Sequence, residues 1–370
     1  MSVLDFHFDP NLLETLVGGR SPLEIQRLNI QDLDAAYHFI KAYGFDLKKD
    51  ADKNKVWLYH RRAVTYLQEE LLLPDEKIPD TLVDPKKLKD IGFLLIYAST
   101  RGKENTFQRW ACAILKVMHV LVHLDNDLFQ KFSSTIQEQI LRPIQAHIYE
   151  DPVSGIRLGT SQSKEVIPLK KFEIKPFKRS DSSVTKLLAK TDAVAFTLLD
   201  KLGVRFVTKT LFDVFCVLRY LVRENIVSFP HNISDQSNNT LFPINIFMEV
   251  MESLMSYSSE VSAEEVDQLL WERLEKEKDK AHYRRKENIF TSKSYRFMKF
   301  ISRRLVTVPL VKEGDKKEEM SFFYPYEVQI LDYPTYLQNL QGEASHEAYK
   351  KRQKQKARLR TLGPSSREQV

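Results

Sequence analysis

Glycine is scarce in this 370-residue chain, which contains only 11 glycines. The sequence has neither the GxGxxG pattern of Rossmann domains nor the GxxxxGK[ST] pattern of P-loop proteins. Both patterns use glycine so that the backbone can approach nucleotide phosphates closely. The composition therefore argues against these two common classes of nucleotide-binding domain.

Cysteine is rarer still, since Cys112 and Cys216 are the only two. Both lie in apolar stretches with helical spacing, where free thiols pack as small hydrophobic groups. We therefore predict two buried free thiols rather than a disulfide or a metal site.

Long apolar runs are also missing. The most apolar stretch, ACAILKVMHVLVHL, is interrupted by Lys116 and is too short to span a bilayer. The first ten residues, MSVLDFHFDP, carry acids where a signal peptide requires an apolar core. We therefore expect a cytoplasmic protein without a membrane partner.

The net charge of +6 and pI near 9.0 describe a mildly basic protein, which is compatible with a polyanionic ligand. The excess is concentrated in YKKRQKQKARLR, which holds seven Lys or Arg and no acid. A solvated helix end or frayed tail is the favoured interpretation of this stretch. Contact with RNA or nucleotide phosphates is the alternative.

The pattern of apolar residues divides the chain into three parts. Residues 1–165 contain five stretches with apolar residues three and four positions apart, which predicts a helical N-terminal domain. The polar stretch DPVSGIRLGTSQSKEV marks its end. Residues 166–352 form the second domain, and 353–370 are a basic C-terminal tail.

The second part has a mixed pattern that predicts an α+β fold. Strands are expected at 204–210, 303–311 and 321–331, the last two joined by a charged hairpin loop. Helices are expected at 211–225 and 262–286. Ser262 and Glu265 fit a capping box at the start of the second helix.

A carboxylate, Glu327, lies in the middle of the last strand. Side chains alternate across a strand, so Glu327 and Gln329 share the face opposite the predicted core residues, Tyr324, Tyr326, Val328 and Ile330. A second carboxylate, Asp200, precedes the strand that carries Gly203 and Arg205. If these two strands are neighbours, the two carboxylates can face each other and hold Mg²⁺.

Five stretches in chain order, KPFKRSDSSVTKLL, DKLGVR, TSKSYRF, YEVQIL and GEASHEAYK, resemble the motifs of the RelA/SpoT synthetase domain. This family makes the alarmone (p)ppGpp. The resemblance covers roughly residues 170–352 and suggests a bacterial branch with its own helical N-terminal half. It implies a nucleotidyltransferase-type mixed sheet with helices.

The resemblance also implies roles for individual residues. Asp200 and Glu327 match the catalytic, Mg²⁺-binding carboxylates. Lys178, Ser182, Lys186 and Arg205 match the group that binds the ATP phosphates. Tyr295 matches the tyrosine on which the acceptor base stacks. Three more positions, Lys299, Gln329 and His346, fall in the acceptor-binding motifs.

The implied activity is transfer of pyrophosphate from ATP to a ribose hydroxyl, with Mg²⁺ as cofactor. The acceptor is a guanosine nucleotide by resemblance, and an adenosine nucleotide or the 3′ end of tRNA stays open. Pro176 replaces the family's arginine, for which Arg179 or Lys175 could substitute in another register, and Lys299 and Leu331 also depart from the pattern.

Two other hypotheses remain. In the first, the departures mark a catalytically degenerate module that binds a nucleotide or RNA with the same fold. In the second, the chain is a helical scaffold in which Asp200 and Glu327 lie far apart.

Long members of the family also carry a His-Asp hydrolase. His119 and His123, with Asp125 and Asp127 nearby, invite that comparison because residues at i and i+4 share a helix face. The chain contains no His-Asp dipeptide, however, and the residues around the histidines are apolar. We therefore predict a packed core helix there and no hydrolase.

Overall fold

The structure is a computed structural model that describes residues 13–15, 17, 21–25, 27–100, 106–125, 128–160, 162–163, 165–175, 180–190, 199, 201–255, 261–310 and 318–364. Asp200 and Lys178, which carry predicted roles, lie outside these residues, as do Pro176 and Arg179. The chain divides into two compact units. The first comprises Met1–Asp127, Arg179–Thr197 and Lys350–Val370, and the second comprises Leu128–Lys178 and Leu198–Tyr349.

The described helices of eight or more residues are α1 (Leu33–Tyr43), α2 (Asp50–Tyr66), α5 (Gly92–Ser99), α6 (Thr106–Asp125), α7 (Leu128–Gln145), α8 (Ser180–Ala189), α9 (Leu211–Arg223), α10 (Ile244–Leu254), α11 (Ala263–Lys276) and α13 (His346–Leu362). Shorter helices are α3 (Asp80–Val83), α4 (Pro85–Leu88) and α12 (Tyr333–Asn339), with a π-helical turn at Leu67–Leu71. No helix in the described ranges is long and apolar enough to cross a membrane.

The first unit is helical in its described part, and its helices follow from ordinary signals. Asp32 caps α1 by accepting a hydrogen bond from the Ala35 amide at 2.8 Å. Gly44 ends the helix in the left-handed region at φ +115°, which only glycine enters without strain. Val117 and Leu121 of α6 are fully or nearly fully buried, so this helix packs in the core as predicted.

The second unit is built on a seven-stranded mixed sheet, with the order β1-β2-β3-β4-β7-β6-β5. The α+β class is therefore confirmed. Only β4 and β7 pair in parallel, and every other pair is antiparallel. The strands are β1 (Ile148–Asp151), β2 (Gly155–Leu158), β3 (Ile167–Lys175), β4 (Gly203–Thr208), β5 (Asn238–Asn239), β6 (Met298–Leu310) and β7 (Glu318–Asp332).

One face of this sheet carries the core. The residues of β7 predicted for it, Tyr324, Tyr326, Val328 and Ile330, are all buried. They join Val204 and Phe206 of β4 and the apolar face of α9 in a single cluster. The predicted pairing of β6 with β7 is confirmed, with Leu310 opposite Glu318 at the hairpin end. Both cysteines are buried free thiols, also as predicted.

The unit boundary differs from the one expected at residue 165. Helix α7 belongs to the second unit because Gln139 and the Thr307 backbone of β6 exchange two hydrogen bonds, at 2.7 and 3.0 Å. The stretch expected to mark the boundary contains β2. Its hairpin with β1 turns at Gly155, where φ is +77°, and Asp151 accepts amide hydrogen bonds from Val153 and Ser154.

The basic tail expected at 353–370 is helix α13 up to Leu362. From Lys350 onward this helix belongs to the first unit. Arg358 pairs with Glu76 at 2.6 Å, and Arg360 donates to the Leu188 and Lys190 carbonyls at the end of α8. Buried arginines that find such partners behave as packing residues, so the charge pattern alone did not reveal a docked helix.

Helix α11 is shorter than the expected 262–286, but its capping box is confirmed. Ser262 and Glu265 exchange hydrogen bonds at the start, and the helix ends at Lys276. The remainder of the expected helix, EKDKAHYRRK, has only Ala281 and Tyr283 as apolar residues, too few at helical spacing to form an apolar face.

Helix α11 also caps a second helix through Asp267. The two carboxylate oxygens of Asp267 accept the Leu211 and Phe212 amides at 2.8 and 2.6 Å, at the start of α9. An Asp267→Ala variant is expected to lose about 2 kcal/mol of unfolding free energy, because two helix-terminal amides lose their acceptor. Asp267→Asn is expected to lose about half of that. Urea unfolding measures the effect, with Gln268→Ala as the exposed control; equal stability of all three variants would contradict it.

Acid is expected to destabilise the first unit through His119. Burial, aided by the charge of His123, lowers the pKa of His119 to about 4 from its ordinary 6.5. The unfolded chain therefore binds a proton first as pH falls from 6.5 towards 4, and stability is lost over that window. Between about pH 7 and 4.5 the wild type should lose about 2 kcal/mol more than His119→Gln. Urea midpoints at both pH values test this, and parallel losses would refute it.

Candidate functional site

The face of the sheet opposite the core carries two rows of facing residues. In the first row Glu173 of β3 lies opposite Arg205 of β4, which lies opposite Gln329 of β7, and Gln329 lies opposite Lys299 of β6. Side chains two residues apart share a face, so a second row runs beside the first. It consists of Lys175, Gly203, Glu327 and Ile301. The Gly203 strand and the Glu327 strand are therefore neighbours, which is the condition under which carboxylates on the two strands could face each other.

Glu327 lies at the centre of this face and is only 5% exposed. Its Oε1 forms an ion pair with the Lys175 ammonium group, and its Oε2 lies 2.9 Å from the Lys299 ammonium group. A carboxylate this deep is stable only when cations or hydrogen-bond donors compensate the water it has lost. Lys299 supplies that compensation from the adjacent strand β6, and Lys175 supplies it from β3, across Gly203 of β4.

The surroundings of Lys175 lower the pKa of its ammonium group. Its side chain keeps 30% exposure, but desolvation of the ammonium group lowers the pKa of Lys175 below its ordinary value. The Glu327 carboxylate opposes this shift, while the positive charges of Arg205 and Lys299 add to it. The site therefore concentrates positive charge around a single buried carboxylate.

Gly203 makes the close approach of β4 and β7 possible. A Cβ atom at this position would lie 3.0 Å from the Glu327 carbonyl oxygen and 3.1 Å from the Glu327 Cβ. It would also lie 3.5 Å from Cδ of Lys175. The glycine of the DKLGVR motif thus leaves the space in which Lys175 and Glu327 meet.

Arg205 links the Glu173 carboxylate to the Gln329 amide. Its Nη1 lies 2.9 Å from Oε2 of Glu173, and its Nε donates to Oε1 of Gln329 at 3.0 Å. Gln329 in turn donates from Nε2 to the Tyr295 hydroxyl at 3.3 Å. Strand β4 therefore orients the glutamine amide, and the amide positions the half-buried tyrosine.

An exposed lysine and a tyrosine extend the site along β3. The Lys171 ammonium group lies 2.7 Å from Oε1 of Glu173 and donates to the Tyr336 hydroxyl at 2.9 Å. Burial by itself raises the pKa of Glu173, but the hydrogen bond from Lys171 and the charge of Arg205 outweigh it and hold that pKa below its ordinary value. The hydrogen bonds that Lys171 donates, to Glu173 first and to Tyr336 second, raise the pKa of Lys171. Both groups are therefore charged at neutral pH.

The described charges of the site suit an anion better than a divalent cation. Lys171, Lys175, Arg205 and Lys299 supply four positive charges, against two negative charges from Glu173 and Glu327. No group of three or more His, Cys, Asp or Glu residues that could hold a metal occurs in the described ranges. Glu327 contacts an ammonium group at each oxygen, so these residues alone do not fit Mg²⁺.

The structure brings together five of the ten residues with predicted roles, namely Arg205, Tyr295, Lys299, Glu327 and Gln329. Ser182 and Lys186 lie on α8, which belongs to the first unit. His346 is exposed at the start of α13, where its ring stacks on Tyr349 at 6.4 Å. The predicted roles of all ten residues stay predictions, and Asp200 and Lys178 lie outside the described ranges.

Sequence reasoning missed the contribution of β3. Glu173 and Lys171 received no role, and Lys175 was considered only as a substitute for the arginine missing at Pro176. The signal was the alternation in IPLKKFEIK, which places Glu173 and Lys175 on one face and Phe172 and Ile174 on the other. A register shift between Leu169 and Lys171 interrupts that alternation.

Comparisons with known proteins give a distant likeness among solved structures. No family model matches the chain, and no curated protein matches it. Among solved structures, a GTP pyrophosphokinase family protein from Streptococcus pneumoniae is similar with a TM-score of 0.27 and 12% identity. The match covers 65% of this chain and 88% of that protein.

Proposed function

We propose that this protein is a RelA/SpoT-like pyrophosphokinase, which transfers pyrophosphate from ATP to a ribose hydroxyl. The observation that carries the proposal is the pairing of two motif strands. Gly203 and Arg205 of the DKLGVR stretch lie directly opposite Glu327 and Gln329 of the EVQI stretch. Residues that the resemblance links in sequence thus share one face of one sheet, over a hundred positions apart.

The electrostatics of that face support binding of a polyphosphate. Lys175, Arg205 and Lys299 keep between 23 and 30% side-chain exposure, so each can contact both the protein and a ligand. A desolvated cation attracts phosphate oxygens more strongly than one in bulk water. We assign the pyrophosphoryl group to this cluster, and the acceptor to the side of Tyr295 and Gln329.

The reaction has a simple atom balance. The acceptor hydroxyl oxygen attacks the β-phosphorus of ATP, the bond from that phosphorus to the α,β-bridging oxygen breaks, and AMP leaves. The hydroxyl proton is released to solvent or to a base. Lysine and arginine side chains in fixed positions stabilise the negative charge that develops on the transferred group. In this arrangement Glu327 holds Lys175 and Lys299 in place.

Mg²⁺ is part of the proposal only because the sequence motifs resemble those of the RelA/SpoT family. By that resemblance Glu327 and Asp200 would hold it, and it would supply positive charge to offset the negative charge of the ATP phosphates. The guanosine acceptor has the same status, as have an adenosine nucleotide and the 3′ end of tRNA. Cytoplasmic location likewise stays a proposal.

The test is a transfer assay with γ-labelled ATP and Mg²⁺, in parallel reactions with GDP, GTP, ADP and bulk tRNA. Glu327→Gln removes the charge that pairs with both lysines. Glu319→Gln makes the same change at an exposed position on the same strand and is the matched control. Label on one acceptor, with stoichiometric AMP, that is lost in Glu327→Gln and kept in Glu319→Gln would support the proposal and name the acceptor.

A binding module with the same fold is the second candidate. It is favoured by the contact of each Glu327 carboxylate oxygen with a lysine, which leaves the described face cationic. In that case ATP or RNA binds, no label moves, and Lys175→Ala weakens binding. A protein that neither binds ATP nor transfers label would rule out both candidates.

A further inference from the structure

The first unit contains a cavity that the proposed chemistry does not use. Its volume is about 260 Å³, and its walls come from α1, α2, α5, α6 and the segment 22–28. Eighteen residues line it, and only Tyr43, Tyr59, Lys116 and His119 have a polar or charged end. All of them belong to the first unit and lie within the described part of the chain.

The cavity is open to solvent on one side and apolar in depth. Phe39 and Tyr43 of its wall are 44 and 38% exposed, whereas the wall residues Ile40, Leu95 and Met118 are large and well buried. An engineered apolar cavity of about 150 Å³ stays dry and binds benzene. A larger apolar cavity therefore has the character of a binding site for an apolar molecule.

Two polar side chains of the lining form a neutral pair. The Tyr43 hydroxyl and Nδ1 of His119 are hydrogen-bonded at 2.8 Å. Burial raises the pKa of Tyr43 to about 12 and lowers the pKa of His119 to about 4, so neither group is charged at neutral pH. A neutral phenol and imidazole keep further donor and acceptor capacity after bonding to each other.

Lys116, the charged member of the lining, is engaged elsewhere. Its ammonium group donates to the Arg360 carbonyl at 3.1 Å, in the last turn of α13. This contact satisfies a carbonyl that has no partner within its own helix. The polar chemistry that remains at the cavity is thus neutral hydrogen bonding rather than capture of an anion.

We propose that this cavity binds a neutral, mostly apolar small molecule with one hydroxyl or carbonyl group, which hydrogen-bonds to the Tyr43–His119 pair. The size follows from the volumes. Scaling the six carbons of benzene by the ratio of 260 to about 150 Å³ gives a ligand of about ten carbons.

Naphthalene derivatives have that size, and they allow the polar group to be varied on a constant apolar body. Calorimetric titration of the full chain with 1-naphthol, naphthalene and 1-naphthoate compares one apolar body with a hydroxyl, no polar group or a negative charge. We expect 1-naphthol to bind about tenfold more tightly than naphthalene, as one added hydrogen bond allows. We expect 1-naphthoate to bind more weakly than 1-naphthol, because its charge is desolvated without a partner.

Variants assign the binding to this cavity. Leu115→Trp fills it from a half-buried position on α6, and is expected to weaken 1-naphthol binding at least tenfold. Leu58→Trp makes the same change at an exposed position of α2 that does not line the cavity, and is the control. Tyr43→Phe is expected to remove the preference for 1-naphthol over naphthalene without weakening naphthalene itself.

Three results would overturn the proposal. The first is that none of the three compounds binds, and the second is that 1-naphthoate binds most tightly. The third is that Leu115→Trp leaves 1-naphthol binding unchanged. If circular dichroism shows that Leu115→Trp does not fold, Val122→Phe on the same helix replaces it, with the same expected loss of 1-naphthol binding and the same overturning result.

Discussion

Replacing Glu327 with alanine is expected to lower the free energy of unfolding by about 3 kcal/mol, because removing one partner of a buried ion pair strands the other. The carboxylate is 5% exposed and separates two ammonium groups. Without it, Lys175 and Lys299 repel each other at a partly desolvated position. The proposed transfer activity should fall below detection, since the two cations that we assign to phosphate binding lose their orientation.

A double-mutant cycle distinguishes repulsion from lost packing. In the Glu327→Ala background, Lys299→Met should recover part of the lost stability, whereas Lys299→Met alone should be destabilising. Urea unfolding followed by circular dichroism gives the four free energies. Glu319→Ala, exposed on the same strand, serves as the control. A loss below about 1 kcal/mol for Glu327→Ala, the magnitude of an exposed pair, would show that Glu327 is not the electrostatic centre of this face.

The second large effect is expected from Gly203→Val, which changes no charge. The new Cβ would lie 3.0 Å from a backbone oxygen of β7, an atom that cannot rotate away. Separating the parallel strands or displacing Lys175 should cost about 2–3 kcal/mol of stability, in the range of other overpacked sites. Transfer should fall at least 100-fold, because Lys175 and Glu327 meet beside this glycine.

Comparison of three variants separates the effect of a Cβ atom at position 203 from the effect of a β-branched residue elsewhere on the sheet. Gly203→Ala already introduces the colliding atom and should show most of the effect, while Glu319→Val places a β-branched residue at an exposed position of β7. The urea midpoint and the transfer rate are measured for each. Full activity in Gly203→Val would mean that the approach of β4 to β7 does not position the site.

The sequence predicts the two faces of β7 well because alternation is a local property. Tyr326 and Val328, which precede and follow Glu327 in the sequence, identify the core face, and the structure agrees. The neighbour of that strand is not a local property. β4 and β7 pair in parallel across more than a hundred intervening residues, so only the resemblance suggested that Gly203 and Glu327 meet.

The local sequence pattern did not predict two other features, the role of strand β3 and the packing of helix α13, and each has a physical reason. Strand β3 contains a register shift, so its alternation is broken where Lys170 and Lys171 follow each other. Helix α13 has a strongly polar sequence, and its basic part was expected to be a solvated helix end or a frayed tail. Its Arg358 and Arg360 side chains are only 11 and 9% exposed, because acids distant in sequence pair with them. Charge counting cannot anticipate such partners.

The interleaving of the two units has a consequence for synthesis of the chain. The first unit takes its early helices from residues before 128, yet it also includes α8 and the part of α13 that follows Lys350. Domains usually fold in order as they leave the ribosome. Here the unit that begins first receives its last helix only after every strand of the sheet has been made. The described strands of the sheet unit are therefore all synthesised before the part of α13 that belongs to the helical unit leaves the ribosome.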